Sequence, residues 1–336
     1  MDSILEVKNL TVEFETERGI LRACDDVSID IYRGEIVGII GESGSGKATL
    51  ASGILQSVQP PGRIVQGQVL YHPKSGETVD LLKLSEEEYA KYRWTNITTV
   101  FQAAQNVLNP ALRIRDHFIE TVRAHDPRAE EGRILEKAAD LLKQVRLEER
   151  VLDSYPHQLS GGMKQRAIIA LSLILQPSLL ILDEPTTALD VITQWYIMDI
   201  LRKVHNDTGI TMIFMTHDVS IIGSIVDRIG VMYAAKMVEY GPVRKVFNSP
   251  SHAYTRCLMR AIPSMHDDVR KREAISGYPP NLLELPKGCR FGPRCPLVRD
   301  KKCQPEDFDM EQMVAVDGEQ LSLCTQWKQV KQSVID

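Results

Sequence analysis

A glycine-rich loop with a single lysine lies near the start of the chain, where Gly41 to Thr49 read GESGSGKAT. Glycines let a backbone turn tightly and point successive N–H groups at phosphate oxygens, and Lys47 can supply a positive charge for the β and γ phosphates of a nucleotide. In the full motif the next residue is a Ser or Thr whose hydroxyl binds Mg²⁺, but here it is Ala48, which has no side-chain oxygen. The loop therefore predicts nucleotide binding with a weakened Mg²⁺ position.

The segments on either side of this loop favour nucleotide binding over a glycine-rich turn that binds nothing. Residues 35–40 (EIVGII) predict a short buried strand, and residues 50–55 predict the start of an apolar helix. A glycine loop between a strand and a helix N-terminus favours an anion, because free N–H groups and the helix dipole face it. The loop residues predicted to contact nucleotide are Gly41, Glu42, Ser43, Gly44, Ser45, Gly46, Lys47, Ala48 and Thr49.

Two carboxylates follow a second apolar run, LLIL at 179–182. Asp183 and Glu184 would lie at the carboxyl end of a strand, which is where open α/β sheets place their ligand sites. Asp183 suits Mg²⁺, and Glu184 suits a general base that polarises a water molecule for attack on a γ phosphate. Alone, the same letters also fit a strand that ends in a polar turn before Pro185.

The other elements indicate an α/β fold. Residues 3–40 predict strands separated by a polar turn, and residues 106–165 predict helices, including the amphipathic KAADLLKQV. Residues 209–218 predict another buried strand, and residues 226–242 predict a hairpin.

Length and composition bound the class of protein. A chain of 336 residues with 43% apolar content is expected to form two units. The net charge of −5 argues against a nucleic-acid partner held by a broad basic face. No apolar run approaches the roughly 18 to 20 residues of a membrane helix, and no secretory signal is visible, so we expect a cytosolic protein.

The segment LSGGMKQR at 159–166 lies between the two phosphate-related motifs. A serine and two glycines can begin a helix and offer a hydroxyl and N–H groups to a phosphate, although alone they would be a simple helix cap. With GESGSGKAT, LLILDEP, TALD at 187–190 and MTHD at 215–218, this segment resembles the ATP-binding subunit of an ATP-binding cassette (ABC) transporter. The resemblance covers residues 1 to about 245.

The resemblance implies roles for four further positions. Phe14 would stack on adenine, although the alternating strand LEVKNLTVEF would also place a core or edge Phe there. Gln102 would reach Mg²⁺ and the attacking water, and His217 would contact the γ phosphate and help to hold Glu184. Asp190 would communicate across a dimer, with a simple helix N-cap as the alternative.

The resemblance also implies a head-to-tail dimer in which each ATP lies between the phosphate loop of one chain and the LSGG of the other. The residues that would contact the partner's nucleotide are Ser160, Gly161, Gly162 and Met163. ATP binding would close this dimer and hydrolysis would open it. Because Ala48 weakens one site, we expect a slow site inside a heterodimer with a second ABC ATPase subunit.

The tail adds a second resemblance. SPSHAYTRCLMRAIP and GYPPNLLELPKGCRFGPRCP are similar to the C-terminal extension of ABC subunits in dipeptide and oligopeptide importers, some of which handle oligosaccharides or metal complexes. This implies two transmembrane permease subunits, a separate substrate-binding protein, and a position at the cytoplasmic face of the membrane. The implied architecture is a P-loop ABC ATPase core at 1–245, with a mixed sheet, an N-terminal antiparallel part and a helical subdomain at about 106–165, followed by a Cys-containing extension at 246–336.

Four cysteines of that extension, Cys289, Cys295, Cys303 and Cys324, are spaced C-x5-C-x7-C-x20-C. Clustered cysteines in a cytosolic protein bind metal or react more often than they form disulfides. The spacing has no C-x2-C zinc knuckle, so we favour a 4Fe-4S cluster, with zinc and unligated thiols as the alternatives. Cys24 and Cys257 are interpreted as packed, small apolar residues.

Two other functions fit the motifs. One is a catalytically impaired regulatory subunit that binds nucleotide and pairs with a competent ATPase, which Ala48 keeps open. The other is a soluble ABC protein of DNA maintenance, but no long coiled coil or zinc module interrupts the segment between the phosphate loop and the LSGG.

Overall fold

The computed structural model describes residues 2–101, 107–187, 189–261, 275–305, 308 and 313–332. The chain divides into two compact units. The first unit comprises Met1–Asp2, Tyr32–Glu35 and Lys83–Phe214, and the second comprises Ser3–Ile31, Ile36–Leu82 and Met215–Asp336. The division into a domain at 1–245 and an extension at 246–336 remains a prediction.

The strands and helices of the described residues follow in chain order. The strands are β1 (Ser3–Thr16), β2 (Gly19–Tyr32), β3 (Ile36–Ile40), β4 (Gly62–Tyr71), β5 (Val79–Asp80), β6 (Ile97–Val100), β7 (Leu179–Asp183), β8 (Thr211–Thr216), β9 (Arg228–Tyr233), β10 (Lys236–Pro242), β11 (Val314–Ala315) and β12 (Leu321–Ser322). The helices are α1 (Lys47–Ile54), α2 (Glu86–Ala90), α3 (Ile114–His125), α4 (Glu131–Gln144), α5 (Gly161–Ser172), α6 (Val191–Thr208), α7 (Val219–Ile222), α8 (Val243–Asn248), α9 (Ala253–Ala261), α10 (Pro296–Arg299) and α11 (Trp327–Gln332).

Two groups of paired strands form the second unit. One is a four-stranded sheet with the order β2-β1-β4-β5, in which β1 and β4 are antiparallel. The other has the order β11-β12-β10-β9-β3, with β3 and β9 parallel and the remaining pairs antiparallel. β3 is buried along its whole length, as its unbroken apolar sequence IVGII predicts. The phosphate loop thus starts from a fixed, buried strand.

The hairpin of β9 and β10 is confirmed. Its two-residue turn consists of Ala234 and Ala235, whose φ angles are 45° and 71°. Positive φ at both central residues is the turn geometry that matches the twist of antiparallel strands, although Gly and Asn are the usual residues there. The tail then pairs with this hairpin, since Glu239 and Tyr240 of β10 lie opposite Ser322 and Leu321 of β12.

The first unit contains the predicted helical region. α3 packs against α4, and α4 packs against α5. Phe118 of α3 and Leu142 of α4 are fully buried, because apolar residues at helical spacing put one face of each helix in a shared core. Strands β6 and β7 pair in parallel beside these helices, with β8 next to β7.

None of the helices within the described residues is long and apolar enough to cross a membrane.

Candidate functional site

Two glycines of the phosphate loop lie where no other residue fits. Gly41 has a φ of 155°, and a Cβ atom there would lie 2.2 Å from the carbonyl oxygen of Met232. Gly46 has a φ of 103°, and its Cβ would lie 2.2 Å from the carbonyl oxygen of Ala23. Left-handed backbone and contact with a neighbouring main chain both require glycine. The loop is therefore a tightly packed turn rather than a loose connection.

Lys47 lies on the loop itself. Its ammonium group donates hydrogen bonds to the carbonyl oxygens of Gly41 (2.8 Å) and Glu42 (3.1 Å) and to the hydroxyl of Ser45 (3.4 Å). The residue is buried and begins α1, whose N-cap Gly46 makes no side-chain hydrogen bond to the helix. The first turn of α1 thus offers N–H groups beside a positive charge, which is the chemistry that a phosphate needs.

Three further predicted nucleotide contacts lie in the second unit. Ala48 is exposed on α1, and Thr49 is half-buried. Phe14 is half-buried on β1, and its ring packs over Gly62, where a Cβ atom would lie 2.6 Å from the ring. These positions are compatible with a nucleotide, but the stacking of adenine on Phe14 stays a prediction.

In the first unit β7 ends at Asp183, and Glu184 follows it directly, so both carboxylates lie at the carboxyl end of the strand, as predicted. Both Asp183 and Glu184 are half-buried. Glu184 has a φ of 46°, a conformation that costs free energy for a residue with a side chain and is enriched at functional sites. Thr187 fixes it by donating its side-chain hydroxyl to the Glu184 carboxylate (2.8 Å) and its N–H to the Glu184 carbonyl (3.1 Å). Neither the strained backbone nor the role of Thr187 was predicted from the sequence.

The starts of α5 and α6 meet at Thr193 in the first unit. Ser160 is the N-cap of α5, and its hydroxyl accepts the N–H of Met163 at 3.3 Å. A Cβ atom on Gly162 would lie 2.8 Å from the methyl group of Thr193. Asp190 is the N-cap of α6 and accepts both the hydroxyl (2.6 Å) and the N–H (2.9 Å) of Thr193. Both hydrogen bonds lower the pKa of Asp190, and the one from the Thr193 hydroxyl has the larger effect. Ser160 and Asp190 are therefore helix caps, and their predicted roles in the signature segment and across a dimer stay predictions.

The two other predicted catalytic residues are less defined. Gln102 lies outside the described residues. His217 directly follows β8 and is exposed. Its contact with the γ phosphate and with Glu184 stays a prediction. For Mg²⁺, the described residues supply the half-buried carboxylate of Asp183, a hard oxygen ligand of the kind that the ion prefers.

The four cysteines of the tail are thiols rather than disulfides, and other thiols of the group influence Cys289 and Cys324. Burial, with a smaller contribution from nearby Cys295, raises the pKa of Cys289 to about 11 and that of Cys324 to about 12. Burial also raises the pKa of Cys257 to about 11, again with a contribution from Cys295, so Cys257 lies near this group. Cys24 is fully buried on β2, as its interpretation as a packed residue predicts.

The thiols do not form a metal site as they are arranged. Within the described part of the chain, which includes Cys289, Cys295, Cys303 and Cys324, no three His, Cys, Asp or Glu side chains are placed to hold one metal ion. The structure therefore does not support the 4Fe-4S or zinc ligand set predicted from the spacing.

Sequence comparison decides the family. Residues 24–187 match the ABC transporter family, and residues 238–303 match the oligopeptide/dipeptide transporter C-terminal region. The chain is 42% identical over 327 residues to the dipeptide transport ATP-binding protein DppD of Caldanaerobacter subterraneus subsp. tengcongensis, which covers 96% of this chain and 97% of that protein. The chain belongs to the ABC transporter family. It is an ATP-binding subunit of the dipeptide and oligopeptide branch of that family.

Other ABC proteins agree with this assignment. The oligopeptide transport ATP-binding protein OppD of Escherichia coli K12 is 38% identical, over 88% of this chain and 86% of that protein. A dimeric, post-hydrolysis structure of the ATP-binding cassette MJ0796, bound to ADP and Pi, superposes with a TM-score of 0.62 at 30% identity, over 72% of this chain and 99% of that one. The ABC ATPase fold predicted from the motifs is confirmed.

Proposed function

We propose that this ABC subunit binds and hydrolyses ATP to drive an importer of dipeptides or oligopeptides, with oligosaccharides as a less favoured cargo. The observation that carries this proposal is the 42% identity to a dipeptide transport ATP-binding protein over nearly the whole of both chains, tail included. Two permease subunits would span the membrane, and a separate binding protein would deliver the cargo. This chain would lie at the cytoplasmic face, without a nucleic-acid partner.

The described residues support a division of labour in ATP hydrolysis. The phosphate loop and Lys47 would bind the phosphates through N–H groups and charge. Glu184, held by Thr187, would accept a proton from the attacking water, and His217 and Gln102 would keep that water in line. Mg²⁺, when bound near Asp183, neutralises charge on the phosphates. The signature residues that begin with Ser160 would act on the ATP of a second ABC subunit.

We infer that Ala48 slows hydrolysis at this chain's own phosphate loop without preventing ATP binding. Position 48 is exposed on α1, so a water molecule can take the place of the missing hydroxyl as a Mg²⁺ ligand. A slow site is best placed in a heterodimer whose other subunit has a complete loop. The alternative, a purely regulatory subunit, would have no turnover at this loop.

The test is the Mg²⁺-dependent ATPase rate of the assembled transporter, in liposomes with its binding protein and a peptide. In a transporter whose second ATPase subunit is inactivated at its own site, Ala48→Ser is expected to raise the rate about tenfold, as one recovered ligand in the transition state would. Ala48→Thr and Ala48→Val form a matched pair, because they have nearly the same shape and only Thr has a hydroxyl.

Three outcomes of this test are informative. Equal rates for the Thr and Val variants would show that position 48 does not limit hydrolysis. A peptide that never stimulates the ATPase or enters the liposomes would contradict peptide import. With the second subunit's site inactivated, the absence of any hydrolysis by the unchanged chain would favour the regulatory alternative.

We propose that the tail cysteines Cys289, Cys295, Cys303 and Cys324 bind a 4Fe-4S cluster after a local rearrangement, with zinc as the alternative. The support is the resemblance of the tail and the proximity of the thiols, since Cys289 lies near Cys295 and Cys303, and Cys324 lies near Cys289 and Cys295. Chain purified without oxygen is expected to contain about four iron atoms, the number in such a cluster, and to be brown. Cys289→Ser should lose the iron and Cys24→Ser should keep it. A colourless, zinc-containing protein would contradict the cluster.

A further inference from the structure

One segment of the tail, Gly288–Cys295 (GCRFGPRC), contains an aromatic ring that is buried in the second unit. Phe291 is 1% exposed. It makes edge contacts with Tyr233 at the end of β9 and Tyr254 in α9, with ring centroids 5.3 Å and 5.4 Å apart. Edge-to-face aromatic pairs add directional stabilisation to apolar burial. The segment is thus a fixed part of the second unit.

Because the segment is fixed, the side chain of Arg294 contacts the phosphate loop. The Arg294 side chain is 5% exposed, and its two terminal nitrogens donate to the two carboxylate oxygens of Glu42 at 2.7 Å and 2.9 Å. Its Nε donates to the carbonyl oxygen of Ser276 at 2.9 Å. A bidentate pair between guanidinium and carboxylate is both stronger and more directional than a single charged contact. The orientation of Glu42 therefore depends on a residue of the tail.

The main chain of Glu42 is held as well. Its N–H donates to the hydroxyl of Tyr254 at 3.0 Å, and its carbonyl oxygen accepts from Lys47 at 3.1 Å. Three polar groups of one loop residue, the N–H, the carbonyl and the carboxylate, are thus engaged at once. Because Glu42 directly follows Gly41, these contacts fix the direction in which the phosphate loop leaves β3.

A second arginine of the segment, Arg290, contacts residues that support the phosphate loop. Arg290 donates to the carboxylate of Asp25 and to the carbonyl oxygen of Ala234. The N–H of Asp25 donates to the carbonyl of Ala235 at 2.9 Å, and the N–H of Ala235 donates to the carbonyl of Ser45 at 3.0 Å. Arg294 thus binds the phosphate loop, and Arg290 binds the turn that supports it. Each arginine is next in sequence to a cysteine that is a candidate metal ligand.

We propose that Arg294 is a positioning residue of the ATP site, which it completes by holding Glu42, so that ATP binding requires the segment Gly288–Cys295 to be in place. The inference rests on the proposed binding of ATP at Gly41–Thr49. The coupling is reciprocal, because a ligand that stabilises the loop must stabilise the segment by the same factor. The tail is then a working part of the nucleotide site and can transmit a change at its cysteines to the phosphate loop.

The experiment measures binding of a fluorescent ATP analogue with Mg²⁺ to the full chain. Arg294→Gln is expected to weaken binding about tenfold, since it leaves the Glu42 carboxylate without its charged partner. Arg294→Lys keeps the charge without the bidentate geometry and should lie between. The matched control is Arg299→Gln, because the Arg299 side chain belongs to the same tail and is 73% exposed.

A double-substitution cycle separates positioning from general damage to the fold. Glu42→Gln and Arg294→Gln together should weaken binding no more than either alone, because both remove the same pair. For Arg294→Lys, the KM for ATP should rise while kcat stays within a factor of about two. ATP should also slow the alkylation of Cys289 in the unchanged chain and not in Arg294→Gln.

Each result has a distinct meaning. Equal ATP affinity for the unchanged chain and Arg294→Gln would overturn this inference and leave ATP binding intact. Strictly additive losses in the cycle would also overturn it. No ATP binding by the unchanged chain would instead contradict the proposed function. If Arg294→Gln fails to fold, the ATP affinity of the Lys variant decides, and the cysteine protection experiment compares that variant with the unchanged chain.

Discussion

Replacing Glu184 with Gln is expected to lower ATP hydrolysis at this chain's own phosphate loop about a thousandfold, within the range that a lost general base costs, when it is measured in a transporter whose second ATPase subunit is inactivated at its own site. The substituted amide keeps the size of the side chain and can still receive the hydrogen bond from Thr187, but it cannot accept the proton of the attacking water. ATP should still bind, because the phosphate loop is unchanged. The measurement is phosphate release at saturating ATP, together with the amount of retained nucleotide.

The control for this substitution is Glu148→Gln. Glu148 is a glutamate of the same unit whose side chain is 70% exposed and pairs only with Arg150 among the ion pairs of the described residues. Its loss should leave the rate unchanged. A Glu184→Gln variant that releases phosphate within a factor of about two of the unchanged chain would mean that another group acts as the base.

Glu239→Ala is expected to destabilise the second unit by about 3 to 5 kcal/mol, as breaking other buried, hydrogen-bonded charges does. Glu239 is fully buried on β10. Its carboxylate accepts the N–H and the hydroxyl of Ser251 (both 2.8 Å), the N–H of His252 (2.9 Å) and the side-chain amide of Gln320 (2.6 Å). Truncation leaves all these donors without their acceptor and opens a cavity. Urea unfolding followed by circular dichroism measures the loss.

Two further variants define the cause of that loss. Glu239→Gln keeps the shape but replaces one acceptor oxygen by a donor, so we expect a smaller decrease in the free energy of unfolding. Glu319→Ala removes a glutamate of the same unit whose side chain is 62% exposed and pairs with Lys245, and should change stability little. Equal midpoints for Glu239→Ala and Glu319→Ala would show that the buried carboxylate contributes nothing.

Features that depend on a short stretch of chain could be predicted from the sequence. Gly41 and Gly46 are needed because their own backbone is left-handed and crowded. The glycines of the motif therefore predict this backbone conformation from the sequence. The strand at 36–40 and the helical region that contains α4 follow from the spacing of apolar residues. Asp190 was weighed as a helix cap because a cap is a local hydrogen bond, and Thr193 supplies it.

Features that join distant parts of the chain could not be predicted in this way. Arg294 and Glu42 are 252 residues apart, and no periodicity or spacing marks such a pair. The left-handed backbone at Glu184 is imposed by its surroundings, since glutamate has no preference for it. The cysteine spacing suggested a metal site because sequence gives the number and order of thiols, whereas ligation depends on their directions in space.

The pairing of β12 with β10 means that the second unit, which contains the glycine loop, can be completed only late in the synthesis of the chain. The first unit is complete once Phe214 has left the ribosome, and it can fold while the rest of the chain is still being made. The second unit combines strands from residue 3 onward with β12 at 321–322, so its edge strand emerges almost last. The glycine loop is among the first motifs to be translated and among the last to be finished.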